Sequence, residues 1–456
     1  MINLFEYQNK VAFPDPMEDL EGFLDEIWKN REKSGYYFED QGKRQEAQQF
    51  LQFLHKTHEI KSNKYVGVIQ YKGQRINLLP KIFFEPDKSY GEPDLSAMHK
   101  HVLWWLSYCR KIRFPNYQTS TGSLKSDFFE VLIYLFAKYT RELLTSTIYQ
   151  QYEEIERELP FIKGRLNTSA YIRESLATGR WHKLQCDFDA FVMDNRFNRI
   201  VKHVATLLFH NTKSQDNKKH LHEILFVLDE VADVPARAEE CANIRFNPIF
   251  SEFETVRDYC SLFLNHSVSF NYKNELKLFA FLLPMEYVFE DFIFGFIDKE
   301  IDGVEAISQS GSTYLDEGKS FSLRPDLLLE IGSRKVIADT KYKIIYSDEK
   351  DPKNGISQSD LYQMVAYAIR FEVSDIILFY PETFAQYQED CFEIEIMDEL
   401  ANGEKIDIRS YQLPIINRSM FDQKLDENVG LRVLFNSTRI RLMQRIRDIL
   451  TVSYIT

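Results

Sequence analysis

The stretch that decides the fold of the C-terminal part of the sequence is RPDLLLEIGSRKVIADTKYK, residues 324–343. Two mainly apolar runs flank Gly332-Ser333, and a glycine in the first position favours a two-residue type II′ turn. The stretch therefore predicts an antiparallel hairpin. In its register Glu330 faces Lys335, a complementary charge pair, and the apolar residues 327–329 face residues 336–338.

The same register brings two carboxylates together, because Asp326 then faces Asp339. Facing residues on paired strands lie about 4.5–5.5 Å apart, where like charges are destabilising. A hard divalent cation relieves this repulsion, since Mg²⁺ prefers oxygen ligands and keeps several waters. Side chains alternate along a strand, so Lys341 lies on the face of Asp339. Its ammonium can hold a water or stabilise a phosphate oxygen, which predicts a site for phosphodiester hydrolysis.

A structural role remains an alternative for Asp339-Thr340-Lys341, since the pattern D-x-K often lies on a solvent-exposed strand face. Further polar residues favour the site. Gln363 and Tyr367 are four apart in SDLYQMVAYAIRF, a predicted helix, and therefore share one helix face. Glu286 and Glu290 are also four apart on a predicted helix upstream, and a glutamate there is either a further metal ligand or an exposed charge.

The composition is that of a globular protein with more than one domain. The chain has 456 residues, of which 44% are apolar and 27% charged. The formal net charge of -13 argues against a general coat for nucleic acid, which needs dense Lys and Arg. A local basic groove, or DNA capture by a partner, remains compatible with this charge.

The sequence predicts a cytoplasmic protein without a membrane span. The five cysteines are scattered, as expected in a reducing compartment, and the N-terminus MINLFEYQNK has no signal-peptide pattern. The most apolar region, residues 276–297, is interrupted by charged residues and Pro284.

The spacing of apolar and polar residues changes twice along the chain, which predicts a multidomain α+β protein with three segments. Residues 1–95 are β-rich, with a hairpin in residues 65–84 around Lys72-Gly73 and a helical insert over residues 39–56. Residues 96–283 have mainly helical spacing, with LPFIKGRLN (159–167) as a strand or turn. Residues 284–456 alternate helices and strands, as in an α/β domain, and the polar loop 347–355 is expected to be mobile.

The C-terminal sequence TRIRLMQRIRDIL places four arginines on a predicted helix: Arg439, Arg441, Arg445 and Arg447. These residues either contact phosphates or form the solvated face of an amphipathic helix.

These motifs resemble a known nuclease family. Pro325-Asp326, Asp339-Thr340-Lys341 and QMVAY at 363–367 are similar to a PD-(D/E)xK nuclease with the QxxxY element of the RecB-like group. More of the chain resembles the McrC family, the nuclease subunit of McrBC-type restriction systems. The stretches that carry this resemblance are GVIQYKGQRINLLPK (67–81), LPFIKGRLN (159–167), FDAFVMDNRFNRIVK (188–202), MEYVFEDFI (285–293) and DLYQMVAYA (360–368).

The resemblance implies a C-terminal restriction-endonuclease-like domain and a role for each site residue. Asp326 and Asp339 are implied as metal ligands for Mg²⁺, or Mn²⁺ in its place, with Glu290 as the upstream acid. Lys341 is the implied catalytic lysine, and Gln363 and Tyr367 position DNA or the residues beside the metal.

The resemblance also implies partners. In the family, the N-terminal region docks on a McrB-like hexameric AAA+ GTPase, which binds the GTP. The McrC subunit has no nucleotide site of its own, stimulates GTP hydrolysis and cuts double-stranded DNA.

Two other functions are compatible with the sequence. One is a non-catalytic adaptor that binds and activates an AAA+ ring, and the other is an autonomous nuclease without a motor. An adaptor has no need for opposed carboxylates beside a lysine, and the long segments before residue 284 disfavour an autonomous enzyme.

Overall fold

The computed structural model describes most of the chain: residues 2–18, 20–22, 24, 50–71, 74–110, 128–271, 277–308, 313–315, 320, 322–344, 357–385, 387, 392–397, 405–422 and 430–452. Three predictions fall wholly or mainly outside these residues: the turn at 72–73, the loop 347–355 and most of the helical insert 39–56.

The chain forms two compact units and is a mixed α/β protein. The first unit comprises Met1–Val131 and His266–Thr456, and the second comprises Leu132–Asn265. The first unit thus contains the hairpin and the predicted site residues. It takes in the first and last of the three predicted segments and part of the middle one, so the three-segment division stays a prediction.

A mixed sheet of six strands among the described residues, here called the main sheet, carries the hairpin. Its order is Glu305–Ser308, Leu327–Ile331, Arg334–Thr340, Asp375–Pro381, Lys405–Leu413 and Phe392–Met397. Arg334–Thr340, Asp375–Pro381 and Lys405–Leu413 are parallel to one another, and the outer pairs are antiparallel.

The central strand of the main sheet has a sequence suited to its place. Asp375–Pro381 reads DIILFYP, and the residues after Asp375 are all buried. A parallel strand covered on both faces favours such a continuous apolar run over an alternating one. The helix Gln358–Phe371 packs Met364, Tyr367 and Ala368 into the core formed with this strand.

A second sheet, here called the N-terminal sheet, contains the predicted hairpin of residues 65–84. Its strand order is Ile2–Phe5, Gln74–Leu79, Tyr65–Tyr71, Lys277–Pro284 and Ser267–Asn271. The antiparallel pairing of Tyr65–Tyr71 with Gln74–Leu79 confirms the predicted strands. Gly67 has φ +146°, and a Cβ there would overlap the carbonyl oxygen of Phe281, so this close pairing requires glycine.

A small sheet corrects one prediction, because residues at the end of the proposed helical insert form a strand. Leu51–Leu54 pairs with Glu59–Ser62, which also pairs with Lys10–Ala12. The local spacing resembled a helix, but the buried Leu51 and Ile60 join the core of the N-terminal sheet instead.

The second unit combines helices with a sheet that the sequence did not predict. The helices Phe128–Ser146, most of which belongs to this unit, and Arg196–Asn211 confirm the helical spacing. Asn195 caps the latter by accepting a hydrogen bond from Asn198 N (3.1 Å). LPFIKGRLN contains the end of one strand and all of another, as predicted. The strands are Gln151–Leu159, Leu184–Val192 and Arg165–Leu166, and the remaining helices are Thr168–Ala170, the π-helix Tyr171–Leu176, Gln215–Val227, Ala238–Ala242, the 3-10 turn Pro248–Phe250 and Phe253–His266.

The remaining elements belong to the first unit. Met285–Glu300 and Gln358–Phe371 confirm two predicted helices. The others are the helices Glu92–Leu106, Ser419–Asp422, Leu431–Leu434 and Asn436–Val452, the 3-10 turn Lys81–Phe83, and the short strand pair Thr313–Tyr314 with Ser322–Leu323. None of the helices in the described ranges has the length and apolarity needed to cross a membrane.

Candidate active site

The hairpin has the predicted register. Glu330 pairs with Lys335, and residues 327–329 pair with residues 338–336 in reverse order. Gly332 has φ +62°, the conformation that the first position of such a turn requires. The apolar pairs are in the core, and the carboxylates therefore lie at the open end of the hairpin.

Asp326 lies just before the ladder, because its strand begins at Leu327. It therefore does not form the predicted strand pair with Asp339. Its Oδ2 accepts hydrogen bonds from the backbone N and the Oγ1 of Thr340, both at 2.8 Å. We call the strand Arg334–Thr340 the carboxylate strand. The two hydrogen bonds fix the Asp326 side chain beside its end.

Asp339 is 1% exposed, and its surroundings oppose its negative charge. Burial, and then the nearby Asp326 carboxylate, raise the pKa of Asp339 well above its ordinary value, while Lys341 opposes this and Glu290 adds to it. Its Oδ1 accepts no hydrogen bond from any residue that the structure describes. A buried carboxylate with an unused oxygen and two acidic neighbours is set up to bind a cation.

Lys341 supplies a positive charge at this point. Its Nζ lies 2.6 Å from Asp339 Oδ2, so the predicted shared face is confirmed. Burial alone would lower the pKa of Lys341, but Asp339, Asp326 and Asp360 outweigh it and raise the pKa. The ammonium is therefore protonated over the whole physiological pH range.

Gln363 and Tyr367 form a chain of hydrogen bonds that ends on Lys341. Lys341 Nζ donates to Gln363 Oε1 (3.2 Å), and Gln363 Nε2 donates to Tyr367 OH (2.6 Å). Tyr367 OH donates in turn to the carbonyl oxygen of Arg324 (2.9 Å), two residues before Asp326. The two residues share one face of the helix Gln358–Phe371, the site helix, and both orient Lys341.

The structure distinguishes the two upstream glutamates. Glu290 is partly buried and close enough to raise the pKa of Asp339. Glu286 is exposed and acts instead on the pKa values of Glu6 and Tyr342. Of the two glutamates, Glu290 is therefore the one that acts on Asp339, and its role as the upstream acid stays a prediction.

Sequence reasoning missed a second anchor of the site helix. Lys343 Nζ donates to Asp360 Oδ2 (2.6 Å), and Asp360 N donates to Ser357 Oγ (3.2 Å), which caps the helix. The pattern Ser-x-x-Asp before an apolar run is a signal for such a cap. The ion pair ties the start of the site helix to the segment that follows the carboxylate strand.

The C-terminal arginines have local partners. Arg439 donates to Glu300 (2.6 Å), Arg441 donates to Glu382 (3.2 Å), and Arg447 lies 3.6 Å from Asp302. These contacts favour a structural role for the helix Asn436–Val452, which buries Leu442, Ile446 and Ile449.

The donor set fits a hard divalent cation with few protein ligands. No group of three or more His, Cys, Asp or Glu side chains is arranged to hold a metal ion within the described ranges. Mg²⁺, however, is commonly bound through one or two carboxylates and several waters. The open Oδ1 of Asp339, beside Asp326 and Glu290, fits this mode.

A family comparison decides the classification. The model of the McrBC family, described as a 5-methylcytosine restriction system component, matches residues 60–381, well over half of the chain. The chain belongs to the McrBC family. This confirms the family membership predicted from the sequence motifs. The matched range contains every predicted site residue of this McrBC-family chain.

A solved structure has a similar fold. A chain in the refined half-complex from the tetradecameric assembly of Thermococcus gammatolerans McrB AAA+ hexamers with bound McrC is 19% identical, with a TM-score of 0.64. The match covers 96% of this chain and 99% of that one. A chain in the T. gammatolerans McrBC complex is 20% identical, with a TM-score of 0.48, and the match covers 66% and 88%. No curated protein matches the sequence.

Proposed function

We propose that this McrBC-family chain is the Mg²⁺-dependent endodeoxyribonuclease subunit of a GTP-driven restriction complex. The observation that carries the proposal is the surroundings of Asp339: a buried carboxylate with an unused oxygen, two acidic neighbours and a lysine at 2.6 Å. Maintaining this repulsion is costly for folding, and such strained groups cluster at functional sites.

The proposal assigns a PD-(D/E)xK domain to residues 284–456 and partner docking to residues 1–95, with residues 96–283 connecting them. The hairpin, the parallel strand beside it and the site helix support the nuclease assignment, because they place the acids, the lysine and the Gln-Tyr pair at one point.

In the proposed reaction each side chain has a role at a named atom. Asp326 and Asp339 would hold Mg²⁺, with Glu290 nearby. The bound ion would act as a Lewis acid that offsets charge on the phosphate oxygens. Asp339 must lose its proton when it binds the cation, which couples binding to pH. Lys341 Nζ would orient the attacking water or donate to a phosphate oxygen, held in place by Gln363.

The partner is proposed by analogy with the T. gammatolerans complex, in which McrC is bound to McrB AAA+ hexamers. We propose that this chain binds a hexameric AAA+ GTPase in the same way. The partner binds the GTP and contributes to the capture of double-stranded DNA, which accounts for cleavage by a chain whose net charge is -13.

The experiment is a cleavage assay of plasmid DNA by the full chain with its AAA+ partner, Mg²⁺ and GTP. Wild type is expected to cut, and Asp339→Asn to lose cutting while it still stimulates GTP hydrolysis. Glu330→Gln is the matched control, since it removes a carboxylate of the same hairpin away from the site. Cutting by Asp339→Asn at the wild-type rate would overturn the nuclease assignment and favour the adaptor.

A further inference from the structure

A buried polar cluster outside the proposed active site contains Glu6, which directly follows the first strand of the N-terminal sheet. Glu6 is 1% exposed. Its Oε2 accepts hydrogen bonds from the backbone N of Lys81 (3.2 Å) and from the hydroxyl of Tyr342 (3.1 Å). Burial, opposed in part by Lys81 and Tyr342, raises the pKa of Glu6 to about 8. Its carboxyl group is therefore largely neutral near pH 7.

Lys81 closes the cluster from the other side. It begins the 3-10 turn Lys81–Phe83 after the strand Gln74–Leu79, and it is buried. Its Nζ lies 4.5 Å from the centre of the Tyr342 ring and 5.6 Å from that of Tyr7. Both distances permit cation–π attraction, which is stronger when water is excluded.

Tyr342 connects this cluster to the proposed active site, because it directly follows Lys341. It is 3% exposed, and its ring also contacts Phe289, the residue before Glu290 (centroids 5.8 Å apart). The backbone N of Lys341 donates to Phe379 O (2.8 Å). Three successive residues thus have three different anchors: Lys341 at Asp339, Tyr342 at Glu6 and Lys343 at Asp360.

The chemistry of the cluster points to a role in placing Lys341. Phe and Leu would pack at positions 342 and 6 without the cost of burying polar groups. Polar groups in a core have one advantage, which is directionality, since a hydrogen bond fixes one arrangement where apolar contacts permit several.

We propose that Glu6, Lys81 and Tyr342 are positioning residues through which the N-terminal sheet holds Lys341 at Asp339. The inference rests on the proposed function, because Lys341 must act in DNA cleavage for its placement to affect the rate. It extends that function, since the segment assigned to partner docking then determines the geometry of the nuclease site.

The test compares four variants of the full chain. Tyr342→Phe removes one hydroxyl, and Glu6→Leu removes the acceptor. Glu6→Gln keeps an acceptor oxygen and resembles the neutral acid. Tyr90→Phe is the matched control, because it also removes a hydrogen-bonded tyrosine hydroxyl from the first unit. The Tyr90 hydroxyl donates to Phe83 O (2.8 Å) and accepts from Glu85 N (2.7 Å).

Two readouts are measured: cleavage with the AAA+ partner, and amide hydrogen exchange of peptides covering residues 334–343. In Tyr342→Phe and Glu6→Leu, we expect about tenfold faster exchange next to Lys341 and a kcat about tenfold lower at unchanged KM for DNA. Glu6→Gln and Tyr90→Phe should retain both values. Exchange over Asp375–Pro381 should be unchanged in all four, which separates local loosening from unfolding.

The outcomes separate the inference from the proposed function. Unchanged exchange and cleavage in Tyr342→Phe and Glu6→Leu would overturn the inference, as would equal losses in Glu6→Gln and Glu6→Leu. If wild type does not cut DNA, the proposed function fails, and the exchange data alone then decide whether the cluster fixes Lys341.

Discussion

Asp339 and Glu382 are two buried carboxylates near the ends of neighbouring parallel strands, 1% and 0% exposed. Glu382 accepts hydrogen bonds from Arg418 Nε (2.9 Å), Arg441 Nη2 (3.2 Å) and the backbone N of Ile416 (3.3 Å). Burial raises the pKa of Glu382, and all three of these donors oppose the rise.

Asp339 has the opposite surroundings. One lysine faces it, two further carboxylates repel it, and its Oδ1 is unused by the described residues. The comparison teaches that burial alone does not identify a functional carboxylate. Glu382 has three hydrogen-bond donors that oppose the effect of burial, whereas Asp339 has one lysine and an unused oxygen, which is where the proposed cation would bind.

The largest effect is expected from Asp339→Asn. It should lower DNA cleavage by about a hundredfold or more, because it removes a proposed metal ligand. The same change removes a buried acid whose ionised form the surroundings oppose, so the variant should unfold at an equal or higher urea concentration than wild type. Cleavage rates and urea titrations measure the two effects, and a marked loss of stability would contradict the account of Asp339 as uncompensated.

Glu382→Gln should show the reverse pattern. It leaves two arginines facing a neutral group and should destabilise the fold by about 1–3 kcal/mol, less than for a fully buried pair because both arginines are partly exposed. Cleavage by the folded fraction should stay near the wild-type rate. A stable variant that has lost cleavage would place Glu382 in the active site and break the comparison.

Glu6→Gln should alter how stability depends on pH. The pKa of Glu6 is raised in the folded state, so its contribution is fully present below about pH 4.5 and is lost as pH rises through about 8. The charged and titratable groups that act on it or feel its charge are Lys81, Tyr342, Glu286 and Tyr7. The free energy of unfolding of the variant, relative to that of wild type, should rise by at least about 1 kcal/mol between pH 5 and pH 8.5. A difference in unfolding free energy between variant and wild type that is the same at every pH, measured by urea titration, would contradict this.

Lys343→Met should have the smallest effect. Lys343 is about half exposed, so loss of its ion pair with Asp360 should cost under about 1 kcal/mol. Cleavage should fall only a few-fold, since the Ser357 cap still holds the start of the site helix. Urea titration and cleavage rates check both values, with Lys335→Met on the exposed side of the hairpin as the control.

The sequence predicted elements whose signals are local. The hairpin register follows from Gly332-Ser333 and one charge pair, and Gln363 with Tyr367 follows from helical spacing. The site helix and the apolar strand Asp375–Pro381 were also predicted from local patterns of apolar residues.

The rest depends on contacts distant in sequence. The pairing of Tyr65–Tyr71 with Lys277–Pro284 joins strands about 200 residues apart, which no local pattern records. Most of the sheet of the second unit lies in residues that were predicted to be mainly helical, because tertiary context determines strand formation. Glu6 and Tyr342 meet across most of the chain. Three-dimensional packing was also needed to distinguish Glu290 from Glu286, because the two glutamates are four residues apart on the same helix and the sequence pattern treats them alike.

The central claim is that Asp339 is an uncompensated carboxylate that binds a divalent cation. The most direct test is calorimetric titration of the full chain with Mn²⁺, using wild type, Asp339→Asn and Glu382→Gln. The account predicts binding by wild type and Glu382→Gln and loss of that binding in Asp339→Asn. Equal binding by wild type and Asp339→Asn, or none by wild type, would contradict it.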